Sequence, residues 1–215
     1  LGSETFGYLQ SAGISEATLG VAQSFVKQAN YLVKKTGLHN VGEMKAFLDN
    51  MDLSDHGASN VMITSMMVKS MGFVDDKVTG LIAMGAFLHD IGLLSLPEAI
   101  RNKEDNEASL TPEEREKYEL HPKLGADMLS KVPHMNPLVP QIAMQHHERR
   151  TRKGFPNKLG SGAISPAAEM VGLSDTFLRI VKANPGGNAL ELIKQEYSDD
   201  FSLKIMDSFL RAFQA

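Results

Sequence analysis

The feature that most constrains this chain is an apolar helical run that ends at an adjacent imidazole and carboxylate. Its apolar positions recur at the spacing of a buried helix: Val78, Leu81, Ile82, Met84, Ala86, Phe87 and Leu88. Asp75 precedes the run as a predicted N-cap, and His89-Asp90 follows it. A buried helix that ends in these two residue types holds them on a rigid element, where together they can bind a metal.

The rest of the chain is also helical in pattern, with almost no strand signal. We predict helices over 15–35, 40–50, 54–71, 75–88, from 111, 121–131, 138–148, 166–182, 189–196 and 201–213. The polar stretch Asn102 to Ser109 reads as a solvated loop. These patterns predict an all-α fold.

Composition limits the chemistry that the chain can perform. It has no cysteine, which excludes disulfides, thiolate metal sites and cysteine nucleophiles, and leaves His, Asp and Glu as metal ligands. The net charge of −4 argues against a broad surface for polymeric nucleic acid. By inspection, no apolar run approaches the ~20 residues that a membrane span needs, so we expect no membrane segment. A cytoplasmic location fits. The start at Leu1-Gly2-Ser3 suggests that a further N-terminal region is missing.

Several landmarks resemble, in order and spacing, those of the HD-GYP domain, a branch of the HD phosphohydrolases known for hydrolysing cyclic di-GMP. They are His89-Asp90-Ile91-Gly92, the segment Pro97 to Lys103, His121-Pro122-Lys123-Leu124-Gly125, His146-His147-Glu148-Arg149 and Gly154-Phe155-Pro156. The resemblance covers about residues 52–182. It implies an HD-type helical bundle over 52–215, preceded by an N-terminal helical extension over 1–51.

The resemblance also implies two divalent ions. One would be held by His89, Asp90, Asp175 and His56, and the other by His121, His146 and His147, with Asp90 bridging both. Iron is the first expectation, with manganese, zinc and nickel open. His56 has two interpretations, a ligand or a helix cap, because its separation from His89 is one residue longer than usual in the family. Binding through both His146 and His147 requires their helix to end there, since successive helical side chains diverge by about 100°.

The substrate-handling positions depart from the family. Leu93 stands where the family has Lys, Leu178 replaces a second acidic residue, and Thr151 and Phe155 replace an Asp and the Tyr of the GYP motif. Phe155 keeps the ring but loses a hydroxyl donor. The basic run beside the proposed metals would meet substrate phosphates instead, so the predicted substrate-binding residues are Arg149, Arg150, Arg152, Lys153 and Phe155.

The resulting hypothesis is a phosphodiesterase in which Asp90 and His89 are the catalytic candidates. Two metals about 3.5–4 Å apart would share a hydroxide and direct it at the phosphorus of a cyclic dinucleotide, first of all cyclic di-GMP. The alternative is a degenerate domain that binds the dinucleotide as a receptor or signalling adaptor, together with a protein partner. A nucleotide phosphohydrolase of another HD branch is a third reading, which the GFP segment disfavours.

Overall fold

The computed structural model describes residues 7–9, 12–36, 56–72, 75–184 and 187–214. The α-helices of these ranges are α1 (Glu16–Thr36), α2 (His56–Ser70), α3 (Asp76–Leu88), α4 (Glu98–Arg101), α5 (Pro112–Tyr118), α6 (His121–Ser130), α7 (Leu138–Gln145), α8 (Pro166–Ala183), α9 (Ala189–Glu196) and α10 (Leu203–Gln214). Two 3-10 helices span Ile91–Ser95 and Glu104–Ser109. Strand-like pairing in the described part is limited to one bridge, Thr151 to Gly160. The all-α prediction is confirmed, while the predicted helix over 40–50 lies outside the described residues.

Local capping explains where several helices begin. The Asp75 carboxylate accepts hydrogen bonds from the backbone N–H groups of Lys77 and Val78, as an N-cap does. At α5, the Thr111 hydroxyl and the Glu114 carboxylate form a reciprocal capping box, and Pro112 occupies the first turn. These are the signals that the sequence displays, so these helix starts were predictable.

One large apolar core joins most of the helices. Helix α2 packs on α3, α8 and α10, while α7 packs on α3, α6 and α8. Helix α1 buries Leu19, Ala22, Val26, Ala29 and Val33 in this same core. The division of the chain at residue 51 remains a prediction, because residues 37–55 are not described.

The segment Asp76–Ser95 is the one stretch of described residues with the length and apolarity of a membrane span, at a mean hydropathy of 1.5. However, 67% of that window is buried inside the bundle. The α-helix within it also ends at Leu88 after 13 residues, whereas a spanning helix needs about 20. The segment is therefore placed as the central core helix α3 and the turn that follows it.

The polar stretch 102–109 exposes Asn102, Ala108 and Ser109 to solvent, as predicted, but it is not an irregular loop. It contains the 3-10 helix Glu104–Ser109, and Glu107 contacts three side chains of the main body. A second, smaller apolar cluster supports this region. Its buried members are Leu93, Leu96, Ile100, Leu110 and Tyr118.

Candidate metal centre

The predicted ligands converge from five helices that are far apart in the sequence. His56 and His121 are the first residues of α2 and α6, and His89-Asp90 directly follows α3. His146-His147 directly follows α7, which ends at Gln145, so the required helix end is present. Asp175 lies within α8, on the face buried against α2. Helix ends aim these side chains at a common centre.

The first group of potential ligands contains Asp90, His121, His146 and His147, and all four are buried. One ligand atom from each lies within 4.8 Å of the others. The Nε2 atoms of His121 and His146 are 3.1 and 3.2 Å from Asp90 Oδ1 and 3.3 Å from each other. Three imidazoles and one carboxylate are a donor set that suits a divalent transition metal.

The second group contains His56, His89, Asp90 and Asp175, again within 4.8 Å of one another. His89 Nε2 is 3.1 Å from Asp90 Oδ2, and His56 Nε2 is 2.8 Å from Asp175 Oδ1. His56 is thus directed into the centre. Asp90 belongs to both groups, with Oδ1 on the first and Oδ2 on the second, which is the arrangement of a bridging carboxylate.

Buried ligand atoms that lack hydrogen bonds show that this donor set fits metal ions. Both oxygens of Asp90, Oδ2 of Asp175 and Nε2 of His147 have no hydrogen-bond partner. Buried polar atoms are rarely left unsatisfied, because each costs about 1–3 kcal/mol. Divalent cations between the two groups would satisfy these four atoms at once.

Backbone carbonyl groups fix the imidazole tautomers. The Nδ1 atoms of His89, His121 and His146 lie 2.7, 2.8 and 2.8 Å from the carbonyl oxygens of the residues three positions earlier. A carbonyl only accepts, so each Nδ1 carries the proton and donates it. In the neutral form of each ring, the Nε2 lone pair then faces the centre, as metal-binding histidines require.

The two carboxylates of the centre are held in their ionised form. Burial would raise the pKa of Asp90, but the charge of His89 and the neighbouring imidazoles hold it well below the ordinary value. Burial would also raise the pKa of Asp175, but the guanidinium of Arg179, and then His56, hold it well below that value. Ionised carboxylates are the form that binds cations.

The imidazoles divide into two classes. Burial alone would lower the pKa of His89, but Asp90 and then Asp175 outweigh it and raise that pKa to about 9. Burial lowers the pKa of His146 to about 4 and that of His147 well below its ordinary value. At neutral pH, His146 and His147 are therefore ready to bind a metal, whereas His89 first has to release a proton.

Two glycines allow the ligand-bearing segments to approach each other closely. A Cβ added to Gly92 would lie 2.5 Å from the Gly125 nitrogen and 2.9 Å from the His121 carbonyl carbon. A Cβ added to Gly172 would lie 3.1 Å from the His146 carbonyl carbon and closer still to its oxygen. The backbone at His121 thus packs so closely on Gly92, and that at His146 on Gly172, that any side chain larger than hydrogen at these two glycines would clash.

A cleft of about 550 Å³ opens beside the centre. His147 and Asp175 line it, and so do three of the predicted substrate-binding residues, Arg149, Lys153 and Phe155. The Phe155 ring stacks on His147, with ring centroids 4.4 Å apart. The loop that carries Phe155 is held by the buried Glu148, whose two oxygens accept from the backbone of Asn157 and Leu159.

The structure separates the predicted basic residues by environment. Arg149 donates to the carbonyl oxygens of His146 and Glu148 and to Thr176, so it braces the turn that carries the histidines. Arg150 donates to Ser161, and the Arg152 side chain lies against Gly160. Lys153 is exposed at the cleft. Of the four basic residues Arg149, Arg150, Arg152 and Lys153, Lys153 is thus the one that both lines the cleft and has an exposed side chain.

Sequence reasoning missed three residues of the centre. Asn60 Nδ2 lies 3.4 Å from His89 Nε2, one helical turn along α2 from His56. Arg179 Nε is 2.9 Å from Asp175 Oδ1, and its Nη1 is 2.9 Å from Glu107 Oε1. Asn60 and Arg179 could have been noticed, because each lies four residues from a predicted ligand on a helix. Glu107 carries no such signal.

Comparison with known proteins shows which family the chain matches and which proteins it resembles. The model of the HD domain family matches residues 41–199. A cyclic di-GMP phosphodiesterase from Pseudomonas aeruginosa is 32% identical over 134 residues, which are 60% of this chain and 32% of that protein. The cyclic di-GMP phosphodiesterase response regulator RpfG of Xanthomonas campestris is 29% identical over 145 residues, 67% of this chain and 35% of that protein.

A cyclic di-GMP phosphodiesterase from Thermotoga maritima is 28% identical over 171 residues, 75% of this chain and 45% of that protein. The chain therefore spans less than half the length of these curated relatives. Among solved structures, an HDG"Y"P protein from Bdellovibrio bacteriovorus has the same fold, with a TM-score of 0.73 and 21% identity. That alignment covers 97% of this chain and 66% of the other.

Proposed function

This chain belongs to the HD domain family, in its HD-GYP branch, and we propose that it is a metal-dependent phosphodiesterase that hydrolyses a cyclic dinucleotide. The observation that carries the proposal is the pair of ligand groups that share Asp90. Two acceptor oxygens on one buried carboxylate, each facing a different set of imidazoles, are suited to a metal pair. Iron is the ion we favour, with manganese, zinc and nickel as alternatives.

When bound, a divalent metal pair supplies Lewis acidity: it activates water and neutralises charge on a phosphate. The residues of the chain orient the metal ligands and exclude bulk water. The carbonyl bonds to the Nδ1 atoms of His89, His121 and His146 keep their Nε2 atoms directed at the centre. Burial of the ligands keeps bulk water away on the side of the core. The cleft leaves one side open for a substrate.

Three properties support a cyclic dinucleotide as substrate, and cyclic di-GMP in particular. The relatives described above are named cyclic di-GMP phosphodiesterases. The cleft volume of about 550 Å³ falls within the roughly 300–1,000 Å³ of small-ligand sites. Lys153 and Arg179 supply positive charge at the cleft, and Phe155 presents a ring there, which suits an anionic ligand with aromatic bases.

The test is hydrolysis of cyclic di-GMP by protein loaded with iron, manganese or zinc, with the linear product followed by chromatography. Asp90→Asn should lower the affinity for both ions by more than about 100-fold, the upper range for neighbours of metal ligands, and abolish turnover. Asp127→Asn is the matched control, because Asp127 is an exposed residue of α6. Absence of turnover with all three metals would contradict the proposal.

A second candidate, a receptor without turnover, is favoured by one observation. Leu93 is 3% exposed and belongs to the apolar cluster around Tyr118. The position at which the resemblance expects a lysine is thus part of a core. Calorimetry that gives tight cyclic di-GMP binding, with the ligand recovered intact, would support this candidate, and cleavage would exclude it.

The remaining expectations are also proposals. We propose a cytoplasmic location, with which the absence of cysteine is compatible, and a signalling protein as partner. We also propose that residues 1–51 are an N-terminal helical extension of the domain over 52–215, with Glu16–Thr36 packed into the same core.

A further inference from the structure

Arg179 places a guanidinium directly against both carboxylates of the centre. Its Nε donates to Asp175 Oδ1 at 2.9 Å, and its Nη2 lies 3.6 Å from Asp90 Oδ2. The side chain is 17% exposed and lines the cleft. A fixed cation thus stands between the ligand groups and the space that a substrate would enter.

Glu107 supplies an anion to the same guanidinium. Its Oε1 accepts from Arg179 Nη1 at 2.9 Å, across 72 residues of sequence, and it lines the cleft as well. Divalent ions held by Asp90 and Asp175 would add further positive charge beside Arg179. An anion on the cleft side of the guanidinium relieves that repulsion, and Glu107 fills this place in the absence of a ligand.

Glu107 has two further side-chain partners besides Arg179. The Tyr118 hydroxyl donates to Glu107 Oε1 at 3.1 Å, and Arg115 Nη1 lies 3.7 Å from Oε2. Arg115 also donates to the Glu107 carbonyl oxygen at 3.0 Å, which fixes the backbone. Arg115 meets Oε2 and not the oxygen that binds Arg179, so this partner remains available to the carboxylate when a phosphate takes its place on Arg179.

We propose that Arg179 binds a phosphate group of the substrate, and that Glu107 occupies the guanidinium until that phosphate displaces it. This inference rests on the proposed function and adds to it a residue that determines affinity and anion selectivity. Guanidinium groups pair with phosphate oxygens through parallel hydrogen bonds. Arg179 would also supply the positive charge that position 93, which is leucine, does not provide.

The test uses the full chain with its metals bound and compares Arg179→Gln, Arg179→Lys, Glu107→Gln and the Glu107→Gln/Arg179→Gln double variant. Loss of a charged hydrogen bond should raise the KM for cyclic di-GMP by about 10–100-fold in Arg179→Gln. Arg179→Lys keeps the charge and should recover part of this loss. Glu107→Gln should lower KM several-fold, because the competing carboxylate is gone.

The double variant separates this role from a structural one. If Glu107 acts only by occupying Arg179, Glu107→Gln should have no effect when Arg179 is already glutamine. Metal content, measured by elemental analysis after loading at saturating metal, should be the same in all four variants. Additive effects on KM, or loss of metal from Arg179→Gln in step with its activity, would overturn the inference in favour of simple support for Asp175.

Failure of the proposed function would be seen separately. If the wild-type protein does not hydrolyse cyclic di-GMP, calorimetric affinities for the intact dinucleotide decide the inference. The expected order is Glu107→Gln tightest, then wild type, then Arg179→Gln. Equal affinities, or no binding to any of them, would reject the role of Arg179.

Discussion

Replacement of Gly92 by alanine tests how closely the ligand-bearing segments are packed. Gly92 is the second residue of the 3-10 turn Ile91–Ser95 that follows Asp90, and its α-carbon lies against the backbone of His121 and Gly125 in the first turns of α6. An added Cβ would be 2.5 Å from the Gly125 nitrogen and 2.9 Å from the His121 carbonyl carbon. Carbon contacts are favourable at about 3.5–4.0 Å, so the two segments would have to separate by roughly 1 Å.

The magnitude follows from what has to move. The obstructing atoms are backbone, which cannot change rotamer, so the change belongs at the upper end of the roughly 1–3 kcal/mol of overpacking. For a chain of this length, about 3 kcal/mol corresponds to a fall in Tm of about 6–12 °C. The shift also displaces His121, whose Nε2 is 3.1 Å from Asp90 Oδ1. We therefore expect weaker metal binding at the group that contains His121.

The assay combines thermal unfolding of the metal-free protein with a metal titration. Gly80→Ala is the matched control, because Gly80 lies within α3 and an added Cβ would have nothing within 4 Å. Alanine is favoured over glycine inside a helix by about 0.5–1 kcal/mol, so this variant should be slightly more stable with unchanged metal affinity. If Gly92→Ala matches the wild type in both measurements, the start of α6 is not seated on this turn as described.

Two further predictions concern protonation and ring stacking. In the metal-free protein, the free energy of unfolding should be greatest near pH 6.5. It should fall by roughly 3 kcal/mol towards pH 4, because the pKa of His146 is about 4 in the folded state and the unfolded chain takes up the proton first. It should fall again towards pH 9, because the pKa of His89 is about 9 in the folded state and the unfolded chain loses the proton first. Urea unfolding across pH 4–9 measures this, and a flat profile would refute both directions. Phe155→Leu should weaken metal binding through His147, whereas Phe25→Leu, which breaks the Phe25–Phe87 pair, should lower stability alone. Equal metal affinities in the two variants would show that the stacked ring does not orient His147.

Helix placement could largely be predicted from the sequence, because the signals that end helices are local. Asp75 and the Thr111–Glu114 box cap the helices that they were predicted to cap. The helix that we predicted over 138–148 ends earlier, at Gln145, which meets the geometric condition for metal binding through both His146 and His147. Convergence of the ligands was expected only through the family resemblance, since nothing local brings His56 to Asp175 across 119 residues.

The contacts that sequence reasoning could not reach are long-range and involve ordinary charged residues. The pairing of Arg179 with Glu107 joins two segments that read separately as a helix and a solvated loop. A polar stretch predicts exposure on average, and Asn102, Ala108 and Ser109 are exposed, but this pattern does not reveal that the Glu107 carboxylate meets a guanidinium at a cleft. Leu93 illustrates the same limit: the sequence shows that the lysine is absent, but not that the leucine is part of a buried apolar cluster.

The ligand shell and the substrate shell are held by different means, so they can change independently. The metal-facing imidazoles are oriented by backbone carbonyls, and the backbones at His121 and His146 are packed against Gly92 and Gly172. Side-chain substitutions at the cleft leave these bonds untouched. Leu93 lies in the second apolar cluster and is neither a ligand nor part of the cleft lining. A chain can therefore carry leucine there and still preserve the metal centre, and another cation can then serve the phosphate. Arg179, on the same helix as Asp175, is placed to serve in that role, which makes loss of the motif lysine compatible with retained hydrolysis.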